Sequence, residues 1–377
     1  MRDTRVTSVA SAVQAGASPP RARRPDIDWL RGVAVVVMIL AHATDSWTLA
    51  ADRSRYLYYI VVIISGMAAP LFLFLAGVSV ALAASAKARK TGDVAGAASA
   101  VRRRGWEILG LGFLFRVQSW VLGLFRAPVS GMLKVDILNV MGIAMAGAAT
   151  VWGLCRRPVS RVAVMATVAL GISLVTPLIR DASWPALLPD ALEWYLRPPA
   201  GRSWFTLFPW AGLLFAGGAI GVLVDGATGP HAERRLSRAF VIGGGALFGL
   251  AWAGSHWPSV YPHSSFWTTS PSYFLMRVGL MTLMLGGAYF WMQRPTAHRW
   301  SPMLVFGNSS LFVYWVHVEL AYGGATKFLH RRLPFWWSLA AFVLFTVFML
   351  WLTLVKNRVA ARWRRRTADP RSLTRGH

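Results

Sequence analysis

An all-α, polytopic bundle of about ten transmembrane helices with both termini cytoplasmic is the fold the sequence predicts. Three observations carry it. Of 377 residues, 55% are hydrophobic and only 15% charged, whereas a soluble domain of this size carries nearer a quarter. The apolar residues come in blocks of about 20, the length that crosses a bilayer as a helix. The blocks are continuous rather than alternating, which excludes a membrane barrel; no other architecture satisfies its backbone in lipid.

Residues 1–25 are rich in Ala, Ser, Pro and Arg and precede any apolar run, so they read as a disordered basic cytoplasmic tail rather than a cleavable signal peptide. Ten spans follow, at about 29–49, 57–83, 105–125, 136–155, 159–179, 205–225, 239–255, 272–292, 303–324 and 335–355. They belong to one transmembrane domain over 26–357, closed by a second basic tail at 358–377. A net charge of +25 would suggest nucleic acid in a soluble protein. Here, 27 of the 40 Lys and Arg fall on the tails and alternate loops that share one side, against 10 on the other side. That asymmetry is the positive-inside pattern; it puts both termini in the cytoplasm and accounts for the charge without nucleic acid. The expected location is a bacterial inner membrane.

The outer loops differ in kind. Segments 180–204 and 255–271 combine Trp and Tyr with Pro and polar residues, as an interfacial aromatic belt does; a carbohydrate or lipid platform is the functional alternative. His256 and His263 share the second loop without a third ligand in a fixed pattern, so no metal is expected. Cys155 is the only cysteine, which excludes an intrachain disulfide. Gly217-Gly218, Gly243-Gly244-Gly245 and Gly286-Gly287 suit close helix packing.

Ionisable residues inside spans cost at least a few kcal/mol on insertion scales and need a partner or a wet cavity. The first span carries Asp26, Asp28 and Arg31 at one end and His42 at the other. Arg31 and His42 are eleven residues apart, close to three turns, so they share a face about 16 Å apart. An interfacial anchor and a polar cap would look the same. Arg102-Arg103-Arg104 open the third span, as basic anchoring or as a phosphate site; Glu107 lies one turn on, within reach of that cluster or of Arg31. Asp136 and Asn139 begin the fourth span on one face. In the ninth, Tyr314 and His317 are three apart with Glu319 nearby; a buried histidine there reads as an interhelical hydrogen bond or as a functional group. Arg116 and Arg277 complete the set.

Three stretches together resemble the membrane-bound acyltransferase superfamily, which includes the acyltransferase-3 and heparan-alpha-glucosaminide N-acetyltransferase-like proteins. They are Asp28-Trp-Leu-Arg-Gly-Val-Ala with His42 following, Ala69-Pro-Leu-Phe-Leu-Phe-Leu-Ala-Gly-Val-Ser-Val-Ala-Leu-Ala83 leading through a basic loop to Arg102–Arg104, and Gly307-Asn-Ser-Ser-Leu-Phe-Val-Tyr-Trp-Val-His-Val-Glu319. The likeness covers 26–155 and 303–322, with 159–300 matched by span count alone. It implies a ten- or eleven-helix bundle that takes an acyl group, acetyl in the first instance, from cytoplasmic acyl-CoA and passes it to a glycan or other acceptor on the far side. Carried over by position, Arg31, Arg102, Arg103 and Arg104 would hold the donor, and His42 would belong to the catalytic end. One departure stands out. The heparan-type enzymes have a catalytic histidine in the first outer loop and an asparagine where His42 stands, while the loop here has Asp45 and Asp52 but no histidine.

Acyl transfer needs a base or a nucleophile, which histidine supplies near neutral pH, and donors where the oxyanion develops. His42, oriented by Asp45 or Asp136, fits the first role; Asn139, Tyr314 or His317 fits the second. Two other readings use the same residues: a transporter or carrier of a lipid-linked or small polar substrate, and a non-enzymatic scaffold.

Overall fold

The structure, a computed structural model, describes residues 24–125, 128–198, 205–295 and 300–368. All but the last two residues of the N-terminal tail, the end of the loop 180–204 and the last part of the C-terminal tail lie outside them. Among the described residues there are thirteen α-helices and one isolated β-bridge. They are α1 Pro25–Trp47, α2 Tyr56–Ser65, α3 Ala68–Thr91, α4 Val94–Leu122, α5 Ile137–Leu154, α6 Pro158–Asp181, α7 Asp190–Leu196, α8 Leu207–Gly226, α9 Pro230–Gly254, α10 Pro271–Met292, α11 Pro302–Asn308, α12 Ser310–Tyr322 and α13 Phe335–Ala368.

Eight segments are long and apolar enough to cross a membrane, and α2 with α3 counts as one of them. The chain is therefore an integral membrane protein. The other two expected spans are present as helix but differ in character. One is α4, which carries Arg102–Arg104, Glu107 and Arg116. The other is the ninth span, which breaks at Ser309 (φ −125°, ψ 21°) into α11 and α12. Gly307-Asn308-Ser309-Ser310 is a run of weak helix formers, so the interruption falls where propensity is lowest. The second span also bends, at Gly66-Met67 between α2 and α3. α4 starts eleven residues ahead of the expected 105, because Asp93 caps an Ala-rich turn by accepting from the Gly96 N–H (2.8 Å). Arg102–Arg104 thus stand well inside a helix. α13 runs past the expected 355 to Ala368, with no proline before Pro370 to stop it.

Helices α1, α3, α5 and α8 are the most buried, while α6, α9 and α13 keep broad apolar faces outward, as lipid-facing helices do. Between helices in lipid there is no hydrophobic drive, so close backbone contact has to hold them. Reciprocal glycines provide it. A Cβ on Gly77 of α3 would fall 1.9 Å from the Leu214 carbonyl oxygen of α8, and one on Gly217 would fall 1.9 Å from that of Phe74. Gly105 and Gly142 do the same for α4 and α5, and Gly244 and Gly279 for α9 and α10. α1 meets the broken ninth span in this way, Gly32 against the Met303 carbonyl and Gly307 against that of Asp28 (1.8 Å).

At the end opposite the termini, α1 and α13 are joined through their loops. The Leu49 and Leu333 N–H groups donate to Leu333 and Trp47 carbonyls (2.8 and 2.9 Å). Asp52 caps α13 by accepting from the Phe335 N–H (2.7 Å) and from Arg55 (2.6 Å). These bonds hold the Asp52 carboxyl below the ordinary carboxylate range. The loop 180–204 contributes to the core as well: Trp194 on α7 is buried against Val135 and Val140.

Two outcomes follow from this packing. Gly307→Ala forces α11 off α1 and should cost about 1–3 kcal/mol of stability, read as a lower thermal midpoint in detergent; Gly171→Ala, which meets open space, should leave it unchanged. Because the folded pKa of Asp52 is depressed, its contribution is complete above the usual carboxylate range and is lost as pH falls from there through the lower folded value. The difference in midpoint between wild type and Asp52→Ala should be largest near neutrality and shrink progressively on acidification below about pH 5.

Candidate functional site

A cavity of about 550 Å³ lies between α1, α3, α4, α5 and α12. Its two ends differ. Arg31, Ser79 and Arg104 line one, and His42, Asp136 and Tyr314 line the other. Between them the wall is apolar, with Met38, Met141 and Met145 among its residues. Arg31 and His42 thus both face the cavity, because their eleven-residue separation keeps them on the inner face of α1.

At the first end, Arg31 pairs with Asp28 one turn back (2.9 Å) and donates to the Ser79 hydroxyl of α3 (2.9 Å). Arg103 and Arg104 both pair with Glu107 (3.2 and 3.0 Å), which settles the choice between that cluster and Arg31 for this carboxylate. Of the three consecutive arginines only Arg104 reaches the cavity, since residues one apart point about 100° away from each other. Arg102 and Arg103 are exposed.

At the other end, the partner of His42 is His317. His42 Nδ1 and His317 Nε2 are 2.8 Å apart, and His317 Nδ1 lies 2.7 Å from the Val313 carbonyl. A carbonyl can only accept, so His317 Nδ1 carries the hydrogen, and the neutral ring leaves Nε2 as the acceptor. His42 then donates from Nδ1, which leaves its own Nε2 with a lone pair. His317 is fully buried and does not line the cavity; His42 does. The relay runs from an α12 carbonyl through one histidine to the other.

The carboxylates stand around this pair. Asp45, exposed, accepts from the Tyr322 hydroxyl (2.8 Å) and from Arg53 (3.4 Å). Tyr322 in turn sets its ring edge against His42, with centroids 5.5 Å apart. Asp136 is buried at the N-terminus of α5, where it forms a capping box with Asn139. One of its oxygens also accepts from Arg116 (2.8 Å) and from the Tyr314 hydroxyl (3.2 Å). Asp136 thus joins α4, α5 and α12. Trp315 donating to Gln118 (2.8 Å) and Ser119 donating to Glu319 add two further ties between α4 and α12.

Sequence reasoning passed over Ser79 and Tyr322. Ser79 is a lone hydroxyl in an apolar stretch, which is a weak signal; Tyr322 sits thirteen residues past the helix break and comes beside His42 only through the tertiary packing. Among the described residues no group of three His, Cys, Asp or Glu side chains is arranged to hold a metal ion.

The family model for the heparan-alpha-glucosaminide N-acetyltransferase catalytic domain matches residues 23–266. That stretch carries Arg31, His42, Arg104 and Asp136, and it includes three of the four spans matched by number alone, 159–179, 205–225 and 239–255; the span 272–292, the ninth span with His317 and the tenth lie beyond it. No curated protein matches the chain. With nearly two thirds of its length matched and all but the ninth-span side of the cavity built from that part, the chain belongs to the heparan-alpha-glucosaminide N-acetyltransferase catalytic-domain family.

Proposed function

We propose that the protein is a membrane acyltransferase that moves an acetyl group from acyl-CoA to an amine or hydroxyl of an acceptor at the opposite membrane face. The observation that carries this reading is the single cavity shared by Arg31, Arg104 and His42. The Lys and Arg asymmetry puts the Arg31 end and both termini on the cytoplasmic side, where acyl-CoA is made available.

In this reading Arg31 and Arg104 meet the donor phosphates, with Arg102 and Arg103 adding positive potential at the mouth. The pantetheine arm lies along the methionine-bearing wall and covers the roughly 16 Å to His42. His42 Nε2 takes the proton from the acceptor as its nitrogen or oxygen attacks the thioester carbonyl. The new C–N or C–O bond forms, the C–S bond breaks, and the proton held on His42 passes to the departing thiolate. His317 fixes the His42 tautomer and shares the positive charge while His42 is protonated. Tyr314, held by Asp136, faces the same volume as an oxyanion donor. Asp45 acts at one remove, by holding Tyr322 against the His42 ring. His42 here occupies the place of the asparagine in heparan-type enzymes and supplies the base that their first outer loop otherwise provides.

A transporter reading retains one supporting feature, the broken ninth span. It predicts substrate movement without acyl-CoA consumption.

His42→Ala should lower transfer of a labelled acetyl group by about 10²- to 10⁴-fold, the usual contribution of a general base, while the protein still folds, its thermal midpoint lowered by the lost bond to buried His317. Undiminished transfer would rule out His42 as the base. Tyr314→Phe removes one hydroxyl and should lower kcat more than it raises KM, as loss of a contact made in the transition state does; a change confined to KM would remove Tyr314 from that role.

A further inference from the structure

Two residues of the cavity wall are exposed. Arg104 stands at the donor end, and Gly66 stands at the bend between α2 and α3. α3 runs back alongside α1 and meets Arg31 at Ser79. Eleven residues nearer its start, the separation that carries α1 from Arg31 to His42, α3 is at Ala68. The bend, with Ser65, Gly66 and Ala69 in the cavity wall, therefore lies at the His42 end. A Cβ on Gly66 would meet only the carbonyl oxygens of its own turn, Val62 at 3.3 Å and Ile63 at 3.4 Å. Among the described residues no other element closes over this position.

The opening faces lipid rather than water. Tyr56–Thr91 is one membrane-crossing segment of 36 residues, and Gly66 lies well inside it. The preceding Val62, Ile63 and Ile64 are 47, 38 and 47% exposed, an apolar surface that bilayer tails cover. The way outward along α1 is covered. Tyr322 sets its ring edge against His42 and donates to Asp45, Arg53 reaches the same carboxylate (3.4 Å), and the Arg53 guanidinium lies 5.9 Å from the Tyr58 ring. None of these four residues lines the cavity. A polar group stands just inside the opening. The Ser65 hydroxyl oxygen is buried and has no hydrogen-bond partner among the described residues. The Ser79 hydroxyl on the same wall donates to the Leu75 carbonyl (2.7 Å), as helical serines do. A buried hydroxyl left unbonded is costly, and an entering head group would supply the missing partner.

Taking the acyltransferase reading as given, we propose that the acceptor is a membrane lipid whose amine or hydroxyl head group enters at Gly66, bonds to Ser65 and reaches His42, while its tails stay in the bilayer against Val62–Ile64. The head-group nitrogen or oxygen attacks the thioester carbonyl. The C–N or C–O bond forms, the C–S bond breaks, and the proton passes by way of His42 to the departing thiolate. The donor arrives from water at Arg31 and Arg104 and the acceptor from the side, so the two substrates use different mouths of one cavity.

The test is photocrosslinking, without acyl-CoA, of the purified full chain in phosphatidylcholine vesicles. The probe is phosphatidylethanolamine bearing a diazirine on its head group or on its tails, with attachment sites mapped by mass spectrometry. In wild type the head-group probe should attach inside the cavity, at residues such as Ala69 and Met38, and the tail probe at Val62–Ile64. Gly66→Trp, compatible with the helical φ of −62°, should remove the cavity attachment and keep the tail attachment, which reports that the variant is folded. Gly66→Leu, a smaller plug, serves the same comparison, and Gly66→Ala should keep both signals. A head-group probe confined to the outside of the bundle, or cavity attachment that survives both Gly66→Trp and Gly66→Leu, would overturn the proposal. With labelled acetyl-CoA added, label should enter phosphatidylethanolamine in wild type and not in Gly66→Trp. Cavity attachment with transfer to a soluble amine but none to lipid would overturn the acceptor role. Cavity attachment with transfer to neither would overturn the acyltransferase reading and leave the lipid site standing.

Discussion

The contact between α1 and the broken ninth span is the constraint on which the rest of the molecule depends. Gly32 and Gly307 let the two backbones touch at one end, and the His42–His317 bond joins them at the other (2.8 Å). A side chain at either glycine would collide with a carbonyl, so the helices would separate and the two rings with them. Without that approach the inner face of α1, with Arg31 and His42, would have no opposite wall formed by Ser310, Leu311 and Tyr314. In a membrane this is decided by packing, because lipid tails solvate leucine as well as another helix does.

The break at Ser309 belongs to the same arrangement. Its hydroxyl accepts from Lys356 of α13 (3.0 Å), whose ammonium also lies 5.1 Å from the Phe312 ring. An interrupted helix is tolerated at membrane depth only where the freed backbone is buried or faces a cavity. Here it is held by α1 on one side and α13 on the other. The segments on either side of the break serve different ends of the cavity: α11 packs beside the Asp28–Arg31 pair, and α12 brings His317 and Tyr314 to the His42 end.

Charge is distributed with similar economy. Asp28, Glu107 and Asp136 are each matched to arginines, as costly ionisable groups in a membrane must be. His42 and His317 instead bond to each other, with no carboxylate bonded to either ring among the described residues. The family match and the cavity point the same way, although the match ends before the ninth span. The half of the histidine pair that lies outside it is supplied by residues some 275 positions downstream of His42.

The sequence by itself determined the class of the protein. Blocks of apolar residues about 20 long have no stable alternative to membrane helices, and the ten expected spans all appear as helix. Local chemistry was legible in part: the Arg31–His42 stripe and the shared face of Asp136 and Asn139 depend on separations along one helix, which periodicity supplies, whereas the capping box of Asp136 and the choice of Arg103 and Arg104 as partners of Glu107 came from the structure. Only the tertiary structure decided which residues meet across helices. His42 and His317, Arg31 and Ser79, and Asp136 with Tyr314 are joined by crossings that no local pattern encodes, because a helix of uniform apolarity gives no sign of which neighbour its polar residue will face. The same applies to Arg102–Arg104, identical in composition, of which rotation about the helix axis admits Arg104 alone to the cavity.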